Sequence, residues 1–131
     1  METQVAEKVK RSAKECSARL SAIHDALYAI GGKWKLKIII VLREDGNKRF
    51  NELQRAVSGI SARVLSNELR ELELNGFVRR KVYEGRPVVV EYELTEYSDT
   101  LGAVLHSLND WGTMHREKIR KEMSSSHTPD L

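Results

Sequence analysis

The sequence of 131 residues predicts a mainly α-helical fold of the α+β class with one small antiparallel β-hairpin. Three observations predict it: leucines at helical spacing between residues 61 and 76, strand-like alternation between residues 77 and 95, and amphipathic helical patterns towards both ends. The length suits one domain with its own hydrophobic core. No apolar run approaches the roughly eighteen residues that a membrane helix needs, so we expect a cytoplasmic protein.

The helix predicted over residues 61–75 has one apolar face and one polar face. Ser61 is a favoured N-cap residue, and Gly76 suits the left-handed position that follows a helix. Leu65, Leu69 and Leu72 recur at helical spacing and mark the buried face. The opposite face carries side chains that can donate to base edges and phosphates, namely Arg63, Ser66, Asn67 and Arg70. On an isolated helix, a solvated polar face would be the commoner interpretation.

The residues before this helix favour a nucleic-acid interface. Asn51 begins a short helix predicted over residues 52–57, with Gln54 at the position that completes a capping box. The turn Ser58-Gly59-Ile60 follows directly. A short helix, a tight glycine turn and a second helix with a polar outer face have the spacing of a helix-turn-helix.

The next segment predicts a β-hairpin. Two strand-like runs within residues 77–95, rich in Val and Tyr, are joined by the turn Glu84-Gly85-Arg86-Pro87. The basic side chains of the hairpin are Arg79, Arg80, Lys81 and Arg86. Arg79 or Arg80 opposite Glu91 could form a cross-strand ion pair, but the sequence does not fix the register of the hairpin; Arg86 at the tip is the best candidate for an unpaired cation.

A long amphipathic helix is predicted before the helix-turn-helix. Apolar residues recur there in steps of three and four: Val5, Val9, Ala13, Cys16, Leu20, Ile23 and Leu27. Ser21 could cap a second helix and so break the run. Gly31-Gly32 ends it, because glycine adopts a positive φ without steric cost.

A further helix is predicted over residues 33–43 and is stopped by Asp45-Gly46-Asn47. Its buried face is expected to carry Trp34, Ile38, Val41 and Leu42. Three lysines crowd its N-terminal half: Lys33, Lys35 and Lys37. They are candidates for phosphate contacts, although exposed lysines are usually only solvated.

The last predicted element is a helix over residues 96–123, which contains no proline. Its apolar stripe comprises Leu101, Val104, Leu105, Leu108, Trp111 and His115. Because the central core already has enough apolar contacts, this stripe and the N-terminal one are candidates for a subunit interface. The predicted organisation is an N-terminal dimerisation segment (1–30), a DNA-binding core (31–95), a C-terminal dimerisation helix (96–123) and a flexible tail (124–131).

Composition argues against several functional classes. The net charge is only +3, but residues 47–90 contain nine Lys and Arg against five Glu, a basic enrichment that fits nucleic-acid binding. Cys16 is the only cysteine, which excludes an internal disulfide, and its place on the apolar stripe suggests a small buried hydrophobe. The sequence has no glycine-rich phosphate loop, nucleophile motif or chelating histidine pair, so we expect no enzymatic activity, metal or cofactor.

Several motifs in a fixed order resemble the HxlR-type winged helix-turn-helix regulators, which are MarR-like DNA-binding proteins. The motifs are Ile30-Gly31-Gly32-Lys33-Trp34, Arg49-Phe50-Asn51-Glu52-Leu53, Gly59-Ile60-Ser61, Leu69-Arg70-Glu71-Leu72-Glu73, Gly76-Phe77-Val78, Pro87-x-x-Val90-Glu91-Tyr92-x-Leu94-Thr95 and Trp111-Gly112. The resemblance covers roughly residues 21–115. It implies a bacterial transcription regulator whose second helix enters the major groove and whose hairpin is a wing on the DNA.

The resemblance also implies roles for individual side chains. The residues expected to contact double-stranded DNA are Lys33, Arg49, Ser61, Arg63, Ser66, Asn67 and Arg70, with Arg79, Lys81 and Arg86 in the wing. The residues expected at the dimer interface are Leu20, Ile23, Leu27, Leu101, Leu105, Leu108 and Trp111. Two such subunits predict a homodimer on an inverted-repeat operator.

The chain departs from this family in its N-terminal helix. Members often carry Cys-Pro ten residues before the first glycine, and some use that cysteine to sense oxidants or electrophiles. Here the position is Ser21-Ala22, which argues against redox sensing there and leaves any small-molecule or redox effector unidentified. The alternative function is a winged-helix module that binds protein, favoured by the modest net charge and by Glu68, Glu71 and Glu73 beside the polar face.

Overall fold

The computed structural model describes residues 12–126 of the chain. The elements are α1 (Ala13–Ile30), α2 (Lys35–Asp45), α3 (Phe50–Ala56), α4 (Ala62–Leu74), β1 (Val78–Tyr83), β2 (Val89–Leu94), a 3-10 helix (Glu96–Leu101) and α5 (Gly102–Ser126). The chain divides into two units, one ending at Thr95 and the other beginning at Glu96. The predicted fold, mainly helical with one antiparallel hairpin, is confirmed.

The core of the first unit lies where α2 packs against α3, α4 and β2. Ile38 and Leu42 of α2 are buried as predicted, together with Ile39 and with Leu53 of α3. The three predicted leucines of α4 are at most 1% exposed. Burying a side chain of this size contributes about 1.5–3 kcal/mol, so this cluster holds the two helices of the helix-turn-helix against α2.

The structure gives the register of the hairpin, which the sequence left open. Neither Arg79 nor Arg80 lies opposite Glu91: Lys81 lies opposite Glu91, and Glu93 lies opposite Arg79. The turn is one residue longer than predicted, because β2 begins at Val89. One additional turn residue moves every cross-strand pair by one position.

Lys48 adds one short bridge to the hairpin. Its N–H donates to the Tyr92 carbonyl at 3.1 Å, and the Tyr92 N–H donates to the Lys48 carbonyl at 2.7 Å. The pairing of this segment is limited to the one bridge, because Phe50 already begins α3. The bridge attaches the segment that enters the helix-turn-helix to the second strand of the hairpin.

The first helix is continuous from Ala13 to Ile30. Ser21 does not break it, since Leu20 and Ala22 on either side favour helix, and the break that we considered there was wrong. Val5 and Val9 of the predicted stripe lie outside the described residues.

The third helix begins two residues earlier than predicted, and its cap differs accordingly. Phe50 is the first residue of α3, so the third helical position is Glu52. The Arg49 N–H donates to Glu52 Oε1 at 2.8 Å, and the expected capping role of Gln54 was therefore wrong. Gln54 Nε2 instead donates to the Ile60 carbonyl at 3.5 Å, across the turn that follows.

The second unit contains the 3-10 helix and α5. The single helix predicted over residues 96–123 was wrong at its start, where Glu96–Leu101 forms a 3-10 helix. Thr100 Oγ1 donates to the Tyr97 carbonyl at 2.7 Å, one of the local side-chain bonds that compete with α-helix. α5 continues to Ser126, past the predicted end, and residues 127–131 of the predicted tail lie outside the described residues.

Candidate nucleic-acid interface

The helix α4 presents a polar face to solvent. Ser61 is its N-cap as predicted, and Ser61 Oγ accepts from the Val64 N–H at 3.2 Å. Gly76 follows the helix with φ of +83°, in the left-handed region that favours glycine. The leucines of α4 are buried. The five side chains of this helix and its cap that we expected to contact DNA are all exposed: Ser61, Arg63, Ser66, Asn67 and Arg70.

The turn between α3 and α4 fixes where α4 begins. Gly59 has φ of +87°, a conformation that L side chains rarely adopt. The next residue, Ile60, is buried and anchors the turn in the core. The two helices of the helix-turn-helix are therefore joined by a short connection that is held at both of these positions.

Three donors on the polar face of α4 are available to a ligand. Arg63 and Arg70 are exposed, and neither makes an ion pair within residues 12–126. Asn67, about one turn from each of them, is also exposed and has no side-chain hydrogen bond within the same residues. These groups can donate to phosphate oxygens or base edges without first breaking a contact inside the protein.

Lys35 of α2 is buried, contrary to the expectation that it is exposed like Lys33 and Lys37. Only 7% of the residue is exposed, and its ammonium lies 2.8 Å from Glu68 Oε2 and 2.5 Å from Glu71 Oε2. Burial lowers the pKa of Lys35, but the hydrogen bonds and charges of the two carboxylates outweigh burial and raise the pKa above 10.5. The lysine stays charged and neutralises part of the negative charge of α4.

The spacing of residues in the sequence contains a signal for this ion cluster. Lys35 precedes Ile38 and Ile39 by three and four residues, which places it on the buried face of α2. Glu68 and Glu71 are three residues apart and therefore share one face of α4. A lysine on a buried face requires a carboxylate partner, because an unpaired buried charge is very costly.

The two arginines of β1 are paired within the chain. Arg79 Nε lies 2.7 Å from Glu93 Oε1, and Arg80 Nε lies 3.1 Å from Glu73 Oε1. The bond to Arg79 lowers the pKa of Glu93 below its usual 4.5 despite the opposing effect of burial. The second pair connects β1 to the C-terminal part of α4. It also means that each of the three glutamates of α4 has a cationic partner.

Arg86 is the unpaired cation of the wing. It lies in the turn between β1 and β2, is exposed, and makes no ion pair within the described part of the chain. Lys81 is also exposed, but its ammonium lies 5.3 Å from the centroid of the Tyr83 ring. A hydrogen bond with Tyr83 raises the pKa of Lys81 above 10.5, so Lys81 is fully charged at neutral pH.

Two more lysines lie beside the helix-turn-helix, around Trp34. The Lys33 and Lys37 ammonium groups lie 4.8 Å and 5.1 Å from the centroid of its ring, within cation–π range. The same indole underlies the turn, since a Cβ on Gly59 would lie 3.9 Å from the ring. Arg49, the remaining predicted contact, is exposed at the N-cap of α3.

The first helix carries exposed apolar surface. The side chains predicted for the dimer interface are exposed by 68%, 52% and 63%, for Leu20, Ile23 and Leu27 respectively. Every residue of α1 from 13 to 28 is exposed in the single chain. Cys16 is exposed with them in the single chain, because no other described residue of the first unit covers that side of α1. These apolar side chains are thus available to a partner.

The helix α5 has an exposed apolar stripe of its own. Leu108 and Trp111, both predicted for the dimer interface, are exposed. Leu101 is buried and Leu105 is partly buried, so these two predicted residues offer little surface to a partner. The stripe continues beyond the prediction through exposed Met114.

Residues 12–126 contain no helix that is long and apolar enough to cross a membrane. They also contain no group of three or more His, Cys, Asp or Glu side chains that could hold a metal ion. His106 Nε2 lies 3.3 Å from Asp110 Oδ2, one helical turn away, in a two-residue contact.

Comparison with known proteins establishes the family. The family model for HxlR-like helix-turn-helix proteins matches residues 29–120. The chain belongs to the HxlR-like helix-turn-helix family. Over 99 residues it is 42% identical to YdeP, an uncharacterized HTH-type transcriptional regulator of Bacillus subtilis, and the match covers 76% of this chain and 77% of YdeP. The resemblance drawn from the sequence motifs is confirmed.

Solved structures of HxlR-like and related regulators share the fold. The redox regulator HypR in its reduced form is 40% identical with a TM-score of 0.69, covering 76% of this chain and 98% of HypR. The reduced form of YodB from Bacillus subtilis is 39% identical with a TM-score of 0.63, covering 69% of this chain and 87% of YodB. The winged helix-turn-helix fold is therefore confirmed. This HxlR-like protein is a DNA-binding transcription regulator and not an enzyme.

Proposed function

We propose that the protein is a homodimer that recognises an inverted-repeat operator, with α4 of each subunit in the major groove. The observation that supports this most strongly is which charged side chains of α4 are paired within the chain and which are not. Arg63 and Arg70 are exposed and unpaired within the described residues, whereas the three glutamates of the same helix are partly neutralised, Glu68 and Glu71 by Lys35 and Glu73 by Arg80. A helix that reads DNA needs free donors on its surface and little uncompensated negative charge beside them.

The chemistry of the polar face suggests which bases are read. An arginine donates in a bidentate manner to O6 and N7 of guanine, and an asparagine pairs with N6 and N7 of adenine. We assign these roles to Arg63 or Arg70 and to Asn67. The hydroxyl groups of Ser61 and Ser66 are suited to phosphate oxygens, because short side chains near the start of a recognition helix lie beside the backbone.

The cations around α4 are assigned to the phosphate backbone. Lys33, Lys37 and Arg49 are exposed and lie on the segments that precede the reading helix. Arg86 at the tip of the wing is placed to contact the backbone or the minor groove. These contacts supply affinity that does not depend on base sequence, with a steep dependence on salt.

The exposed apolar side chains of α1 and α5 are assigned to the subunit interface. A second copy of the chain is the occupant that fits both stripes, because each subunit would contribute the same surfaces. A two-fold symmetric dimer carries two copies of α4, which requires an inverted repeat with half-sites about one helical turn apart, or roughly 34–36 Å. We also place the protein in the cytoplasm, with the DNA that it regulates.

The residue at position 21 bears on which kind of effector could regulate the protein. HypR is a redox regulator. In this chain position 21 is serine, and Cys16 is the only cysteine, exposed on α1. We therefore propose that any effector acts without a thiol at position 21. Mild oxidation followed by mass spectrometry tests Cys16, since a linked Cys16–Cys16 dimer would instead show a thiol switch one and a half turns away.

The proposed function is tested by selecting binding sites from a random duplex library at moderate salt. We expect an enriched inverted repeat, bound far more tightly than random duplex. Arg63→Ala and Arg70→Ala should weaken operator binding, while Arg43→Ala, an exposed arginine at the end of α2, is the matched control. Absence of any enriched site, with weak binding that is insensitive to salt, would favour the protein-binding module instead.

The dimer is tested separately by sedimentation. Leu20→Glu with Leu27→Glu should convert the dimer to a monomer and reduce operator affinity. Leu74→Glu is the matched control for the sedimentation measurement alone, because Leu74 is 80% exposed but lies on α4 and not on either apolar stripe. A wild-type protein that sediments as a monomer at micromolar concentration, even with operator present, would contradict this part of the proposal.

A further inference from the structure

We propose that Lys35 is a positioning residue that sets the orientation of α4 on the operator through its ion pairs with Glu68 and Glu71. The inference rests on the proposed function, because it concerns how the same helix reads bases. Lys35 does not contact DNA in this proposal. It acts on Asn67 and Arg70 by holding their neighbours in the sequence.

The ion cluster crosses the interface between α2 and α4. Lys35 is the only buried charged residue among residues 12–126. The side chain of Glu68 is 21% exposed and that of Glu71 is 54% exposed, so the cluster runs from the core to the solvent edge of α4. Glu68 Oε2 is itself buried, and the Lys35 ammonium at 2.8 Å is the group that compensates its charge.

The placement of the two carboxylates restricts rotation of α4 about its axis. Each is adjacent in sequence to a proposed base-reading residue, Glu68 to Asn67 and Glu71 to Arg70. The leucine stripe on the inner side of α4 packs through non-directional contacts, which tolerate small rotations. The two carboxylates lie 2.8 Å and 2.5 Å from one ammonium, so a rotation of α4 in either direction lengthens at least one of these N···O distances and weakens that ion pair.

A small rotation would be enough to disturb base recognition. A helix with its side chains is about 10–12 Å in diameter, so a rotation of about 10° moves a side-chain tip by roughly 1 Å. A bidentate contact to a base requires both hydrogen bonds to keep good distance and angle at once. Phosphate contacts by flexible lysines and arginines tolerate such a shift much better, because they depend mainly on charge.

Stability alone is a weak explanation for this cluster. A buried ion pair often contributes no more than well-packed apolar side chains of similar volume, because removing the charges from water is costly. Charge balance is the competing explanation, since unpaired glutamates on α4 would repel DNA. The two roles differ in what they affect: charge balance changes the affinity for all DNA, whereas positioning changes only the preference for the operator over random duplex.

The deciding variant is Lys35→Met with Glu68→Gln and Glu71→Gln, which removes the ion pairs without leaving a buried charge. The readout is the ratio of operator affinity to random-duplex affinity, measured with the sequence selected by the wild-type protein. We expect the ratio to fall at least about tenfold, the scale of one lost base contact. Random-duplex affinity should not fall, because the net charge of the variant is one unit more positive than that of the wild type.

The matched control is Glu44→Gln, which makes the same change in charge at an exposed position near the end of α2. It should leave the ratio unchanged. A triple variant that folds normally by circular dichroism and retains the wild-type ratio within about twofold would overturn the proposal and leave charge balance as the role of the cluster.

A milder variant keeps the proposal testable if the triple variant does not fold. Glu71→Gln removes the more exposed arm and retains the buried pair of Lys35 with Glu68, so the fold should survive. We expect a smaller fall in the ratio, and an unchanged ratio would contradict the proposal. The proposed function fails in a different way: the wild-type protein itself would then show no preference for any selected duplex.

Discussion

The helix α4 and the hairpin of β1 and β2 both carry arginines, but these arginines differ in whether they are ion-paired within the chain. On α4, Arg63 and Arg70 are exposed and unpaired within the described residues, and the carboxylates of Glu68 and Glu71 beside them share the Lys35 ammonium, which neutralises part of their charge. In the hairpin, Arg79 and Arg80 are bound to glutamates, and Arg86 alone of its arginines has no such partner in the described chain.

The comparison shows that a count of basic residues does not measure the capacity to bind DNA. An arginine that is already bound to a carboxylate contributes little net charge and must lose that partner before it reaches a phosphate. A glutamate next to a reading face does little harm when a lysine neutralises it. What matters is the charge that remains after internal pairing, and on this ground we expect α4 to contribute more to DNA binding than the wing.

The largest effect is expected from the arginines of α4. Arg70→Ala should weaken operator binding by roughly 1–3 kcal/mol if the guanidinium reads a base, and Arg63→Ala should have an effect on the same scale. Titration of labelled operator and of random duplex at fixed salt measures both affinities. An equal loss on the two duplexes would show that the residue contacts phosphate only and would remove the distinction between α4 and the wing.

A smaller and uniform effect is expected from Arg86 in the wing. Arg86→Ala should weaken binding to operator and random duplex alike, by about 1 kcal/mol, and should reduce the slope of log affinity against log salt by about 1. Measuring affinity at four or five salt concentrations gives the slope. A loss restricted to the operator would mean that Arg86 reads base sequence, and the wing would then equal α4 in function.

The parts of α4 that follow from local chemistry were predictable from the sequence. The cap at Ser61 and the glycine at Gly76 follow from which backbone groups a helix end leaves without partners. The buried leucines follow from helical periodicity, which also places Arg63 and Arg70 outside. These features depend on residues within a turn or two of each other, so no knowledge of the rest of the chain was needed.

The pairing of charges was not predictable in the same way, because it depends on distant parts of the chain. Arg79 meets Glu93 only because the turn is one residue longer than the sequence suggested. Lys35 meets Glu68 only after α2 and α4 pack, although its place on the apolar face of α2 indicated burial. The family resemblance predicted the fold and the reading helix, but it carried no information on which cations are internally bound.

A still smaller effect on DNA binding is expected from the Arg79–Glu93 pair. Arg79→Ala combined with Glu93→Gln removes the pair without changing the net charge, so affinity for operator and random duplex should change by less than about 0.5 kcal/mol. The pair is solvent-exposed on the arginine side, and its loss should cost about 0–1 kcal/mol of stability in chemical unfolding. A loss of operator affinity as large as that of Arg86→Ala would show that Arg79 leaves Glu93 to bind DNA.

The smallest expected effect is a pH dependence of stability, which distinguishes the Arg79–Glu93 pair from the unpaired arginines. Because the hydrogen bond from Arg79 holds the pKa of Glu93 below 4.5, the ionised carboxylate stabilises the folded state above pH 4.5. This contribution is lost as the pH falls through the lowered pKa, since the unfolded chain takes up the proton first. The stability difference between wild type and Glu93→Gln should therefore shrink on acidification below pH 4.5, and an NMR titration of Arg79→Ala should show the pKa of Glu93 moved up. If Arg79→Ala leaves that pKa where it is in the wild type, Arg79 is as free in solution as Arg63 and Arg70, and the contrast between the wing and α4 does not hold.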